Sequence, residues 1–231
     1  DSLEVSYLDC RPILLEAAKT ELVYHKRDTH WNGRGAERTF SQILHRFDLS
    51  MPDLSDRGPV LNETFEGDLD ALLFPGKIRY DLDITYDFTD LYVFTSAYST
   101  PMDLVITARG GGTEKLLMFR DSFANTLIPF LSNEFAMSYY SKGVPHALER
   151  FAESYEPDCV VIQKVERNIA EYLDTPPILT APEGELPAVY SIRSTDTTAE
   201  IADCLNDMNY YCISGTVDPS CLDTDSQIQV W

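Results

Sequence analysis

Asp28, His30 and Ser122 are, by residue type, the parts of an acyl-transfer centre. A serine hydroxyl is a poor nucleophile at its free pKa. It needs an imidazole within hydrogen-bond reach to take its proton, and a carboxylate to fix the imidazole's tautomer. Asp28-Thr29-His30-Trp31 supplies acid and base with one residue between them, so in an extended segment both side chains project to the same side. Asp121-Ser122-Phe123 supplies the hydroxyl. Each half also has a plainer reading. Asp28 and His30 suit a surface Asx turn, and Ser122 suits a helix N-cap. A helix N-terminus in turn offers unpaired N–H groups to a developing oxyanion. Asn125 lies one turn beyond Ser122, where it either adds a side-chain donor or faces solvent. Trp31 either packs the loop or, if exposed, gives a sugar ring a surface to stack on.

Elements that would position these residues can be read around them. Residues 14–22 suit a short helix and residues 22–24 an extended stretch leading into the Asp28–His30 segment. Asn32 and Gly33 make a turn, and Ala36, Phe40, Ile43, Leu44 and Phe47 recur at helical spacing over residues 36–47. Between residues 48 and 114 the chain reads as short strands (84–88, 92–94, 104–107) in long Asp-, Pro- and Gly-rich loops. An apolar strand at residues 115–119 runs straight into Arg120-Asp121-Ser122, and residues 123–135 have helical spacing. Further helices are expected over 143–155 and 165–173, around a buried strand at 159–163. Such alternation predicts a parallel sheet covered on both faces, with a site at the carboxyl ends of its strands. Residues 175–190 read as a proline-rich linker or strap. Residues 191–231 read as a small α+β or β-rich appendage, with a helix at 198–208 and strands at 210–217 and 228–231.

Composition narrows the function. Eighteen Lys+Arg against 38 Asp+Glu give a formal charge of −20, a surface that repels phosphate backbones and anionic membranes, so no nucleic-acid partner is expected. The acids are scattered through a chain that is 44% hydrophobic, as on the solvated face of a folded protein. No apolar run is long enough to span a bilayer, and Asp-Ser-Leu-Glu at the start has no signal-peptide character, as if cut from something longer. The five cysteines contain no C-x-x-C pair. Cys159 sits in an apolar run as a buried thiol, while Cys204, Cys212 and Cys221 leave room for one disulfide. His25 beside Lys26 and Arg27 reads as solvated, His45 lies on a polar helix side, and His146 is a distant second base. Asp81, Asp83, Asp87 and Asp90 lack the fixed spacing of a calcium loop, so neither metal nor cofactor is expected.

Residues 24–32 (Tyr-His-Lys-Arg-Asp-Thr-His-Trp-Asn) with Gly35-Ala36, and residues 118–125 (Met-Phe-Arg-Asp-Ser-Phe-Ala-Asn), resemble the AlgX/AlgJ-like SGNH-hydrolase-like family, the alginate O-acetyltransferase-related proteins. DHHW proteins are similar too. The resemblance covers roughly residues 5–173 and includes the permuted order, with Asp-x-His ahead of the serine. It implies a three-layer α/β fold with a flavodoxin-like parallel sheet, residues 1–174 being the catalytic domain and an upstream segment of the parent lying outside it. It also implies Ser122 as nucleophile, His30 as general base and then acid, Asp28 as orienting carboxylate, and the Ser122 N–H as one oxyanion donor. Arg120 stands where many SGNH proteins have glycine, which leaves the second oxyanion donor open. Glu166 and Arg167 are bracing candidates. The expected activity is extracytoplasmic O-acetylation of a glycan through an acetyl-serine, with an acetylesterase or a non-catalytic glycan-binding or export module as alternatives. The partners implied are a glycan acceptor, an acetyl donor and a membrane-bound acyl-transfer protein. The negative mean charge favours a neutral or cationic glycan unless Arg27, Arg34, Arg38 and Arg120 line a basic strip.

Overall fold

A computed structural model describes residues 6–52, 56–88, 91–97, 104–143, 145, 148–170 and 172, with the backbone of two strands further on, Ala199–Ala202 and Cys212–Gly215. The chain divides into two compact units, Asp1–Ile178 and Leu179–Trp231.

In the first unit the central strand is β5 (Lys115–Phe119), an apolar run whose last four side chains are fully buried. A strand buried on both faces must be apolar throughout, which is why this segment is legible from sequence. β5 runs parallel to β6 (Met137–Ser141) on one side and to β7 (Cys159–Ile162) on the other. β4 (Val105–Ala108) adds antiparallel to β6, and β3 (Val93–Phe94) antiparallel to β4. The order is β3-β4-β6-β5-β7, so the sheet is mixed and not the all-parallel one expected. β7 is an edge strand: Cys159 is buried, but Val160 and Ile162 stand exposed, against the expectation of a buried strand.

Helices cover both faces. Leu116 and Met118 pack into the main core with Phe40 and Leu44 of α2 (Gly33–Arg46) and Phe130 of α4 (Ile128–Glu134). Phe119, one register step away, points to the other face and meets Phe151 of α5 (Leu148–Tyr155) edge-on at 5.2 Å. α2 begins three residues earlier than its apolar spacing suggests, because Asn32 caps it: its Oδ1 accepts the N–H groups of Arg34 (2.9 Å) and Gly35 (3.2 Å). His45 and Arg46 occupy its last turn, where cations favour the helix C-terminus. α1 (Arg11–Ala17) starts earlier than expected, with Pro12 in its first turn.

Several expectations need correction. The helix expected over 123–135 is two pieces, a 3-10 turn (Ser122–Thr126) and then α4, with Pro129 in the first turn of the second. Among the described residues of 165–173, Glu166–Asn168 form a 3-10 turn and Tyr172 is helical. Three elements form a side layer: a hairpin of β1 (Val60–Glu66) and β2 (Tyr80–Thr85), with α3 (Asp68–Leu73) between them. β2 begins four residues ahead of the strand expected at 84–88, and the other two were hidden under acidic residues.

In the second unit β8 (Ala199–Ala202) pairs antiparallel with β9 (Cys212–Gly215). The helix expected to start at residue 198 is therefore a strand at its beginning. Ala-Glu-Ile-Ala is a good local helix former that pairing overrides. The proline-rich stretch, the 228–231 strand, His146, Asp90 and the side chains of Cys204, Cys212 and Cys221 lie outside the described residues. No helix among the described residues is long and apolar enough to cross a membrane.

Candidate active site

Two local structures meet at the site. The nucleophile turn leaves the carboxyl end of β5. Asp121, not Ser122, is its N-cap: Asp121 Oδ1 accepts the Phe123 N–H at 2.9 Å. The plainer reading of Ser122 as a capping hydroxyl therefore fails, and its Oγ is free to point elsewhere. Asp121 is itself pinned from the segment after β7. Its N–H donates to Gln163 Oε1 (3.1 Å), its Oδ1 accepts from Gln163 Nε2 (3.0 Å), and its Oδ2 accepts the Val165 N–H (2.7 Å).

The base loop leaves residue 23 and returns at residue 32. Tyr24 and Trp31 bridge antiparallel, the Asn32 N–H donates to the Val23 carbonyl (3.0 Å), and Asn32 Nδ2 donates to the Leu22 carbonyl (2.7 Å). Gly35 lets α2 press on this loop, since a Cβ there would sit 2.7 Å from the Trp31 Cβ. Carboxylates of the side layer hold the loop from outside. Buried Asp81 accepts the N–H groups of Lys26 (2.6 Å) and Arg27 (2.9 Å), and Asp70 pairs with the Arg27 guanidinium at 2.8 Å.

Where the two meet, His30 Nε2 lies 2.7 Å from Ser122 Oγ and His30 Nδ1 lies 2.6 Å from Asp28 Oδ1. An ionised carboxylate can only accept, so Nδ1 carries the proton of the neutral ring and Nε2 is left to accept from the serine hydroxyl. Asp28 Oδ1 also takes the His30 N–H (2.8 Å), and its Oδ2 takes the Asp68 N–H (2.9 Å). Burial alone would raise the Asp28 carboxyl. Those two backbone donors, with the His30 ring, outweigh it and hold the group below its ordinary 3.8. The Asp28 side chain is 7% exposed and that of His30 28% exposed, so the acid is enclosed while the base is reachable from solvent. The Phe123 ring tilts against His30 at 4.7 Å and is capped by the Arg167 guanidinium at 5.4 Å.

The remaining candidates fall out as follows. Arg120 is buried and spends its Nη1 on the Asp121 carbonyl (3.3 Å) and on Asn125 Oδ1 (2.6 Å), so the exposed Asn125 is an acceptor for Arg120. Trp31 is 5% exposed, donates Nε1 to Thr126 Oγ1 at 2.9 Å and meets Phe123 edge-on, which leaves no open ring face for a sugar. The basic strip does not form. Arg27 is paired with Asp70, Arg34 with Glu37, and Arg38 with Glu21. Lys142, after β6, instead lies within electrostatic reach of Arg120 and Asp121, and burial pulls its ammonium down. His25 is buried and stacked on Phe65 at 3.9 Å, against the expectation that it is solvated. Burial, with the acids Asp158 and Glu114, pushes the Cys159 thiol up to about 11, so it is inert at neutral pH.

Among the described residues, Asp28, His30 and Asp68 bring ligand-type atoms within 4.8 Å of one another. A cation there would compete with the Nδ1–Asp28 hydrogen bond. A groove of about 270 Å³ lies beside α3, between Glu66 and Arg79, and neither Ser122 nor His30 lines it. Sequence reasoning missed Asp68, Asp81, Gln163 and the capping role of Asp121. Only Asp121 carried a signal, as a good cap residue just ahead of the turn.

No family model and no curated protein matches the sequence. Among solved structures, the chain superposes on a DHHW family protein from Eubacterium siraeum with a TM-score of 0.53 at 19% identity, over 64% of this chain and 60% of that one. It shares that protein's fold. The chain spans about three fifths of the length of the DHHW protein. Looser likenesses are to Bacillus cereus PatB1 carrying a sulfonyl adduct (TM-score 0.48, 14% identity, 67% of this chain and 66% of that one) and to the O-acetyltransferase domain of Pseudomonas putida AlgJ (0.41, 17%, 74% and 61%). At these identities the likeness to the DHHW protein is one of fold.

Proposed function

We propose that the chain is a serine-dependent acyltransferase that moves an acetyl group onto a glycan hydroxyl outside the cytoplasm. The observation that carries the acyl-transfer chemistry is the continuous relay Asp28–His30–Ser122, at 2.6 and 2.7 Å. The acetyl and glycan assignments, and the extracytoplasmic setting, rest on the ordered motifs at residues 24–32 and 118–125 and on the DHHW-type fold.

In the first half-reaction Ser122 Oγ attacks the acetyl carbonyl carbon of the donor ester while its proton passes to His30 Nε2. Asp28 keeps Nδ1–H in place and offsets the charge on the imidazolium. The oxyanion is received by the Ser122 N–H, which opens the 3-10 turn where no intrahelical partner precedes it. Collapse returns the His30 proton to the leaving oxygen and leaves acetyl-Ser122. In the second half-reaction His30 takes the proton of a sugar hydroxyl, whose oxygen attacks the acetyl carbonyl, and Ser122 Oγ leaves with that proton. Water in place of the sugar gives the esterase. His30 stands partly open to solvent, which keeps hydrolysis as the competing outcome.

Incubation with an aryl acetate, with and without a neutral oligosaccharide, separates the cases. The proposal expects Ser122-dependent release of the aryl alcohol together with acetylated oligosaccharide. Aryl alcohol release with acetate as the sole fate of the acetyl group favours the esterase. A folded wild type that turns over no faster than Ser122→Ala points to the non-catalytic glycan-binding module.

A further inference from the structure

A carboxylate can orient an imidazole only if the carboxylate is itself fixed. Asp28 Oδ1 is occupied by the N–H and Nδ1 of His30, and its Oδ2 is met by the main-chain N–H of Asp68 at 2.9 Å. The Asp68 side chain then grips the residue between Asp28 and His30: its Oδ1 accepts the Thr29 N–H at 2.9 Å and its Oδ2 the Thr29 hydroxyl at 2.7 Å. The same Oδ2 lies 4.0 Å from His30 Nδ1. On either side of Asp68, Gly67 packs so closely on the Arg27 carbonyl that a Cβ would collide with it, and the Leu69 N–H donates to that carbonyl at 3.2 Å. Three consecutive residues of the side layer thus hold three consecutive residues of the base loop.

We propose that Asp68 is the positioning residue of the base: its N–H fixes the rotation of Asp28, and its carboxylate fixes Thr29, so that His30 Nε2 stays in register with Ser122. Asp68 touches neither the nucleophile nor Nε2, and it acts through Asp28 and Thr29. Its kinetic consequences rest on the acyl-transfer reading, whereas its effect on the Asp28–His30 hydrogen bond does not.

The two contributions can be separated because Asp68 is the first residue of α3 and Gly67 before it is extended (φ −81°, ψ 148°). Proline is tolerated at a first helical position and requires an extended predecessor. Asp68→Ala therefore removes the carboxylate, and Asp68→Pro removes the carboxylate and the N–H together. Two readouts apply to the full chain: the low-field proton resonance of His30 Nδ1–H, and kcat and KM for an aryl acetate. Asp68→Ala is expected to keep the resonance and lose about 10-fold in kcat. Asp68→Pro is expected to lose the resonance to solvent exchange and about 100-fold in kcat, with KM unchanged. Asp68→Asn, which keeps Oδ1 for the Thr29 N–H, recovers part of the Ala loss. Identical resonance and kcat in the Pro and Ala variants overturn the proposal. If the Pro variant does not fold, Thr29→Val tests the carboxylate half of the proposal, because it removes the hydroxyl that Asp68 Oδ2 accepts: a several-fold fall in kcat is expected, and an unchanged kcat overturns it. A wild type without turnover, in which the resonance still depends on the Asp68 N–H, rejects the acyl-transfer reading and leaves the positioning role standing.

Discussion

The nucleophile turn and the base loop meet at the 2.7 Å contact between His30 and Ser122, yet they are held in different ways. Ser122 stands on the end of the most buried strand of the sheet, in a turn clamped by Asp121 to the segment after β7. His30 hangs from a loop whose outer supports are carboxylates of the side layer: Asp81, Asp70 and Asp68. The nucleophile is thus placed by apolar burial together with the Asp121 clamp, and the base chiefly by hydrogen bonds from the side layer. Damage to the first support should cost stability and activity together, and damage to the second should cost activity first.

The largest expected effect lies at the junction itself. Ser122→Ala and His30→Ala should each lower turnover by about 10⁴-fold or more, the double variant should be no worse than either single one, and melting temperatures should stay near wild type. Additive losses would show that the two halves do not act as a unit.

Next come the supports. Asp121→Ala removes the turn's cap and leaves the Val165 N–H without its acceptor, an expected cost of about 2–4 kcal/mol in chemical denaturation alongside a loss of activity. Asp81→Asn keeps the shape but weakens the bonds to Lys26 and Arg27. It should cost about 1 kcal/mol of stability, while turnover falls by about 10-fold or more. If Asp81→Asn destabilises more than Asp121→Ala, the contrast between the two supports is wrong.

Acid sharpens the comparison on the base side alone. The Asp28 pKa is depressed in the folded state, so its stabilising contribution is complete above its ordinary 3.8 and is lost as pH falls through the lower folded value. Melting temperature against pH should therefore show a drop below about pH 4 that Asp28→Asn flattens. An identical drop in the variant would place the acid sensitivity elsewhere. The smallest effect concerns packing at the seam. Trp31→Phe removes the Nε1 bond to Thr126 and should cost about 1 kcal/mol in denaturation, with turnover within about three-fold.

The same contrast explains what was legible in the sequence. β5 and α2 are encoded locally, one as an unbroken apolar run and the other as an apolar stripe behind Asn32, and both elements are found. Asp28, His30 and Ser122 were legible because their types and order fit one chemistry. Asp68 and Asp81 were not, since an acid in a chain with 38 of them reads as surface, and only the tertiary fold shows which backbone N–H groups it accepts. The Arg strip failed for the same reason: each of Arg27, Arg34 and Arg38 meets an acid that sequence could not pair with it. The mixed sheet escaped because β6, Met-Ser-Tyr-Tyr-Ser, has no apolar run to announce it, and its two neighbours lie in opposite directions.

The central claim is that Ser122, activated by His30, carries the acyl group. It is tested most directly by rapid quench of the protein with an activated acetyl ester, followed by peptide mass spectrometry. One acetyl group on Ser122 in the wild type, absent from His30→Ala within the same quench time, is the expected result. A folded wild type that forms no adduct on Ser122, or forms it equally fast without His30, would contradict the account.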